Sequence, residues 1–139
     1  MNATDLYKHI RTAGLRLPET DEAHPWGETA IRVREKAFVF MRLENGELSF
    51  SFKLPDSAKA ALALPFAHPT HYGMGKHGWV TFADPPTTAQ FAKQCDEWLV
   101  ESYRAVAPKR LASALDEPRQ PAARRTTARK KTPRARRSS

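Results

Sequence analysis

The stretch TAIRVREKAFVFMRLENGELSFSFKL, residues 29–54, decides the fold. Near its middle, Glu44-Asn45-Gly46-Glu47 places Asn-Gly where both central positions of a two-residue turn need positive φ, the type I′ geometry that joins antiparallel strands. Downstream, LSFSFKL alternates strictly: Leu48, Phe50, Phe52 and Leu54 face a core, while Ser49, Ser51 and Lys53 face away. Upstream, Ala37–Leu43 is apolar on nearly both faces, as a central strand is, and Thr29–Val33 precedes it across the polar turn Arg34-Glu35-Lys36. A three-strand antiparallel meander is predicted.

On the N-terminal side, Leu6, Tyr7, Ile10, Ala13 and Gly14 recur at helical spacing, so the pattern predicts a helix over 4–15 with Asn2 or Thr4 as N-cap and Pro18 beyond its end. The acidic, turn-rich segment ETDEAHPWGE, residues 19–28, is expected to be an ordered loop around Trp26. On the C-terminal side, Pro55 opens a short helix, DSAKAALAL, that carries the chain to the far edge of the sheet. A loop with Gly73, Gly75 and Gly78 then presents Lys76 and His77 and runs into a strand from Trp79 to Phe82. The longest helix follows, capped by Thr87 or Thr88, with Phe91, Cys95, Trp98, Leu99, Ser102, Tyr103 and Val106 on one face. Pro108 breaks it, and Lys109–Leu115 forms a further short turn. The order α-βββ-α-β-α makes this an α+β protein with an antiparallel sheet packed by helices, and argues against a doubly wound sheet.

Charge divides the chain at the same place as hydropathy. Residues 118–139 contain no Leu, Ile, Val, Met or aromatic residue, but nine of the 23 Lys and Arg and no acid. Such a segment cannot bury enough apolar surface to offset its ordering entropy, so residues 1–117 are expected to fold and 118–139 to form a disordered basic tail. The 14 remaining cations stand against 15 acids, so the chain's net charge of +8 is +9 in the tail and −1 in the domain. Each tail cation that neutralises a phosphate releases a counterion, which makes nucleic acid the expected partner; a mere solubilising appendage is the blander reading. The single cysteine, Cys95, excludes an internal disulfide, and neither a signal-like apolar segment nor a membrane-spanning run is seen, so a cytoplasmic location without membrane contact is expected.

Other chemistries fit less well. Gly73 and Gly78 have P-loop spacing, but Trp79 and Val80 stand where Lys and Ser/Thr are required. The loop is left as a tight turn or as a backbone cradle for an anion. His68, His71 and His77 with Cys95 match no structural-zinc spacing, so no metal or other cofactor is expected. Glu19, Asp21, Glu22 and Glu28 lack an accompanying nucleophile motif, which disfavours an enzyme. Trp98 belongs to the core; burial is also the expected fate of Trp26 and Trp79 over stacking on bases.

The segments PWGETAIRV, SFKLP, GKHGWVTF and SYRAVAPKRL, in that order, resemble the MmcQ/YjbR family of small bacterial proteins over about residues 4–115. That resemblance implies a YjbR-like fold, with a curved antiparallel sheet similar in shape to frataxin and secretion chaperones, and non-enzymatic DNA binding through a double-wing arrangement. It implicates Lys76 and His77 in the GKHGW turn, Lys109 and Arg110 in the APKR corner, and, more weakly, Arg32 and Arg34. The tail residues Arg124, Arg125, Arg129, Lys130, Lys131, Arg134, Arg136 and Arg137 would add sequence-nonspecific phosphate contacts. The alternative is an adaptor that binds a protein or small ligand, with the tail incidental; an uninterrupted cationic patch would favour DNA and an apolar groove the adaptor.

Overall fold

The computed structural model describes residues 1–115, with Lys131–Thr132 and Arg134–Ala135 beyond them; the side chain of Trp26 lies outside the described residues. Helix α1 (Ala3–Leu15) is followed by strands β1 (Thr20–Ala23), β2 (Thr29–Val33), β3 (Lys36–Glu44) and β4 (Glu47–Lys53). Then come α2 (Ala58–Leu62), β5 (Ala67–Pro69), β6 (Trp79–Ala83), α3 (Ala89–Val106) and α4 (Lys109–Ala114). Strands β7 (Lys131–Thr132) and β8 (Arg134–Ala135) pair only with each other. Of the expected tail contacts, Arg124, Arg125, Arg129, Lys130, Arg136 and Arg137 lie outside the described residues, as does the expectation of disorder there.

The six main strands form one antiparallel sheet in the order β1-β2-β3-β4-β6-β5. Its centre is the predicted meander. Asn45 and Gly46 both have positive φ, 54° and 79°, as the type I′ turn requires. Two strands were not expected. The acidic loop is in fact edge strand β1 up to Ala23, followed by a 3₁₀ turn at Pro25–Gly27, because the backbone of Thr20–Ala23 pairs with β2 and its carboxylates find arginines. The second is β5, three residues that pair with β6 at the opposite edge.

A third departure is a bulge in β3. Ile31 pairs with Val39 and Arg32 with Ala37, so Phe38 is the extra residue. The bulge lets Phe38 and Val39 both be fully buried, which simple alternation forbids. Phe38 meets Tyr103 edge-on at 5.4 Å, and the buried Ser102 hydroxyl donates to the Phe38 carbonyl while accepting the Lys53 amide at 2.8 Å. One hydroxyl thus satisfies both the bulge and the end of β4.

All four helices pack against one face. Leu6 and Ile10 of α1, Ala61 of α2, Phe91, Cys95, Trp98, Leu99 and Tyr103 of α3, and Leu111 of α4 share a core with Ile31, Val39, Met41, Phe50, Phe52, Val80 and Phe82. Helix α1 begins with a capping box, in which the Asp5 amide donates to Asn2 and the Asn2 amide to Asp5, and α3 begins with Thr88 accepting the Phe91 amide. Trp98 stacks on Phe82 of β6 at 4.9 Å and 17°. On the opposite face, Ser51, Thr81 and Thr70 form a hydroxyl ladder with bonds of 2.7 and 2.8 Å, and Phe40 packs against Trp79 at 5.5 Å.

Candidate nucleic-acid interface

Strand register places both sets of folded candidates at one end of the sheet. The end of β2, the β2–β3 turn, the end of β4, the start of β6 and the end of β5 meet there, so Arg32 and Arg34 share that end with Lys76 and His77. Helix α4 joins them, since Arg110 reaches Glu19 immediately before β1 at 3.6 Å.

The β1 side of this end is electrostatically closed. Arg32 grips Asp21 through two bonds of 2.9 and 3.0 Å. Arg34 donates to Glu19 at 2.6 Å, and Arg11 of α1 makes a forked pair with Glu22 at 2.6–3.1 Å. Hydrogen bonds from these arginines hold Glu19, Asp21 and Glu22 below their ordinary pKa, and Arg34 and Arg32 are held above theirs by the same bonds. Arg32, Arg34 and Arg110 are therefore already engaged with carboxylates, and a phosphate would have to displace those partners. Lys109 is exposed at the start of α4.

The β5–β6 side is open. The glycine-rich loop forms a 3₁₀ turn over Met74–His77, bounded by Gly73 and Gly78 at φ 78° and 90°. Lys76 and His77 are exposed on it. The anion-cradle reading is not supported: the amides of Met74, Gly75 and Gly78 donate to His71, Thr70 and Gly75 carbonyls and so are spent inside the turn. A side chain at Gly75 would put Cβ 2.7 Å from Pro69 Cβ, so its glycine serves close packing of the turn on β5. Cys95 is buried in the core, where desolvation raises its pKa well above the ordinary thiol value, and among the described residues no group of three or more His, Cys, Asp or Glu is arranged for a metal ion.

Carboxylates share this end of the sheet with the cations: Asp56 and Glu101 lie past the end of β4, Glu19 precedes β1, and Glu35 sits in the β2–β3 turn. Glu101 itself is held by the amides of Asp56 and Ser57 and the Ser57 hydroxyl at 2.6–2.9 Å. On the helical face, a groove of about 610 Å³ runs between α2 and α3, lined by Leu64, Phe66, Phe91 and Trp98 together with polar residues that include Lys93 and Glu97. Sequence reasoning did not find it, since it forms where α2 and the Leu64–Phe66 turn stand away from α3.

A six-stranded antiparallel sheet with helices on one face, one charge-paired edge and one open edge defines a small α+β domain. The chain belongs to the YjbR family, whose model matches residues 15–105. Among solved structures it is similar to the Deinococcus radiodurans protein DR2400, a DUF419 domain, at 23% identity and a TM-score of 0.63, covering 85% of this chain and 91% of that one. It is also similar to a Pseudomonas syringae protein at 19% identity and a TM-score of 0.49, covering 71% and 96%. No curated protein matches it. Among the described residues, no helix is long and apolar enough to cross a membrane.

Proposed function

We propose that this protein binds DNA without sequence specificity, with the C-terminal segment supplying phosphate contacts and the folded domain orienting it. The observation that carries this reading is the partition of charge: nine cations and no acid after residue 117, against a domain of net −1. The domain's pairing supports it, since Arg11, Arg32, Arg34 and Arg110 are matched to carboxylates, while Lys76 and Lys109 stand exposed at this end of the sheet. Fluorescence anisotropy on a mixed-sequence duplex tests it. Affinity should fall steeply with salt, with a log-log slope of about −0.9 per neutralised phosphate. Deleting residues 118–139 should flatten the slope while leaving the melting transition unchanged, and Lys76→Ala or Lys109→Ala should weaken the residual binding further. Salt-independent or absent binding by the full chain would refute the proposal. The α2–α3 groove favours a second reading, an adaptor for an apolar ligand or peptide; binding unaffected by tail deletion but lost on filling the groove through Leu64→Trp would select it.

A further inference from the structure

One feature of the open edge is unexplained by phosphate contacts. Tyr72 is 99% exposed and has φ 62°, a left-handed conformation that costs an L-residue of this bulk free energy wherever glycine is not used. Among the described residues its ring meets only the neighbouring His71 ring, edge-on at 6.4 Å, so little there offsets that cost. No Asp or Glu occurs between Asp56 and Asp84, a span that includes His68, His71, Lys76 and His77. Across the start of β6, Lys53 lies in register with Trp79 and adds another cation beside the loop. Among the described residues, Lys76 and His77 pair with no carboxylate.

We propose that the Pro69–Gly78 loop recognises unpaired bases, with Tyr72 stacking on an exposed base of single-stranded DNA and Lys76 taking the adjoining phosphate. A base in a duplex is already stacked on both faces, so a projecting phenol ring gains little there; an unpaired base offers a free face. The Lys76 ammonium makes the surroundings attractive to the connecting backbone. This inference rests on the nucleic-acid reading above, and it distinguishes the loop from the tail, which reads only phosphate charge.

The experiment is anisotropy with the full chain, using a labelled oligothymidylate and a mixed-sequence duplex at matched salt. Tyr72→Ala should weaken oligothymidylate binding about five- to a hundred-fold, the effect of losing one stacked base, and leave duplex binding unchanged. Its salt slope should match wild type because no charge is removed, and Tyr72→Phe should bind like wild type. Lys76→Ala should instead reduce the single-strand slope by about 0.7. Because Tyr72 is exposed, these variants should melt as wild type, which keeps the binding readout clean. Wild-type binding of both probes with Tyr72→Ala unaltered, or weakened equally on both, would overturn the loop's role alone. Binding of neither probe would remove the nucleic-acid reading along with it.

Discussion

The two edges of this sheet handle charge in opposite ways. At the β1 edge, acids at 19, 21 and 22 are each matched by an arginine from a different element, Arg34, Arg32 and Arg11, and Arg110 adds to Glu19 from α4. At the β5 edge, a span without acids carries Lys76, His77, His68 and His71 and exposes Tyr72. The first edge pairs its charges within the fold; the second leaves Lys76 and an aromatic ring exposed. A count of basic residues cannot tell these cases apart, since Arg32 and Lys76 are equally cationic in the sequence.

The largest effect that bears on this contrast concerns the support beneath the open edge. Trp98 is 7% exposed, stacks on Phe82 and meets Phe91 edge-on at 6.0 Å. Trp98→Ala should cost on the order of 3–5 kcal/mol by denaturant unfolding, as other buried aromatic truncations do. A loss below about 1 kcal/mol would mean that β6 is held without α3, and the open edge would then lack the rigid base assumed here.

A smaller effect sharpens the closed edge. Glu19, Asp21 and Glu22 are held below their ordinary pKa by arginine hydrogen bonds, whereas in the unfolded chain they protonate near about pH 4. The unfolded state therefore binds more protons in that range, and stability rises with pH through it. The contribution is complete above the unfolded pKa and is lost as pH falls through the depressed folded values. Thermal melts from pH 7 to 3 should show this acid-side fall, and Glu22→Gln, which removes the partner of Arg11, should make it shallower. An identical pH profile for the variant would show the forked pair to be electrostatically idle and blur the distinction between the edges.

The centre of the molecule was legible in sequence because its signals are local. Asn45-Gly46, the alternation of Leu48–Leu54 and the helical face from Phe91 to Val106 each need only neighbouring residues to be read. What was missed depends on distant partners. Thr20–Ala23 has the composition of a loop, and becomes a strand because β2 offers an unpaired edge and Arg32 and Arg11 meet its acids, with Arg34 on Glu19 just before it. The bulge at Phe38 is visible only once Ile31 and Val39 are seen to pair. Of the folded candidate residues, the sequence put Lys76 and His77 on a loop, where the structure shows them exposed, but could not show that Arg32, Arg34 and Arg110 have carboxylate partners. Tyr72 went unremarked, although an aromatic directly before Gly73 in an acid-free loop was the available signal.

The smallest effect, and opposite in sign to the others, is expected at Tyr72 itself. Left-handed backbone costs an ordinary L-residue roughly 1–2 kcal/mol, and asparagine adopts it far more readily because its side chain bonds locally. With its ring in solvent, Tyr72 has little packing to lose on truncation. Tyr72→Asn should therefore leave the protein as stable as wild type or up to about 1 kcal/mol more stable, while weakening single-strand binding as Tyr72→Ala does. Chemical denaturation and anisotropy on the same preparation check the two halves together. A residue whose removal helps the fold and harms binding is one retained for a partner. If Tyr72→Asn instead destabilises by more than about 1 kcal/mol, the ring has work inside the fold, and the open edge would resemble the closed one.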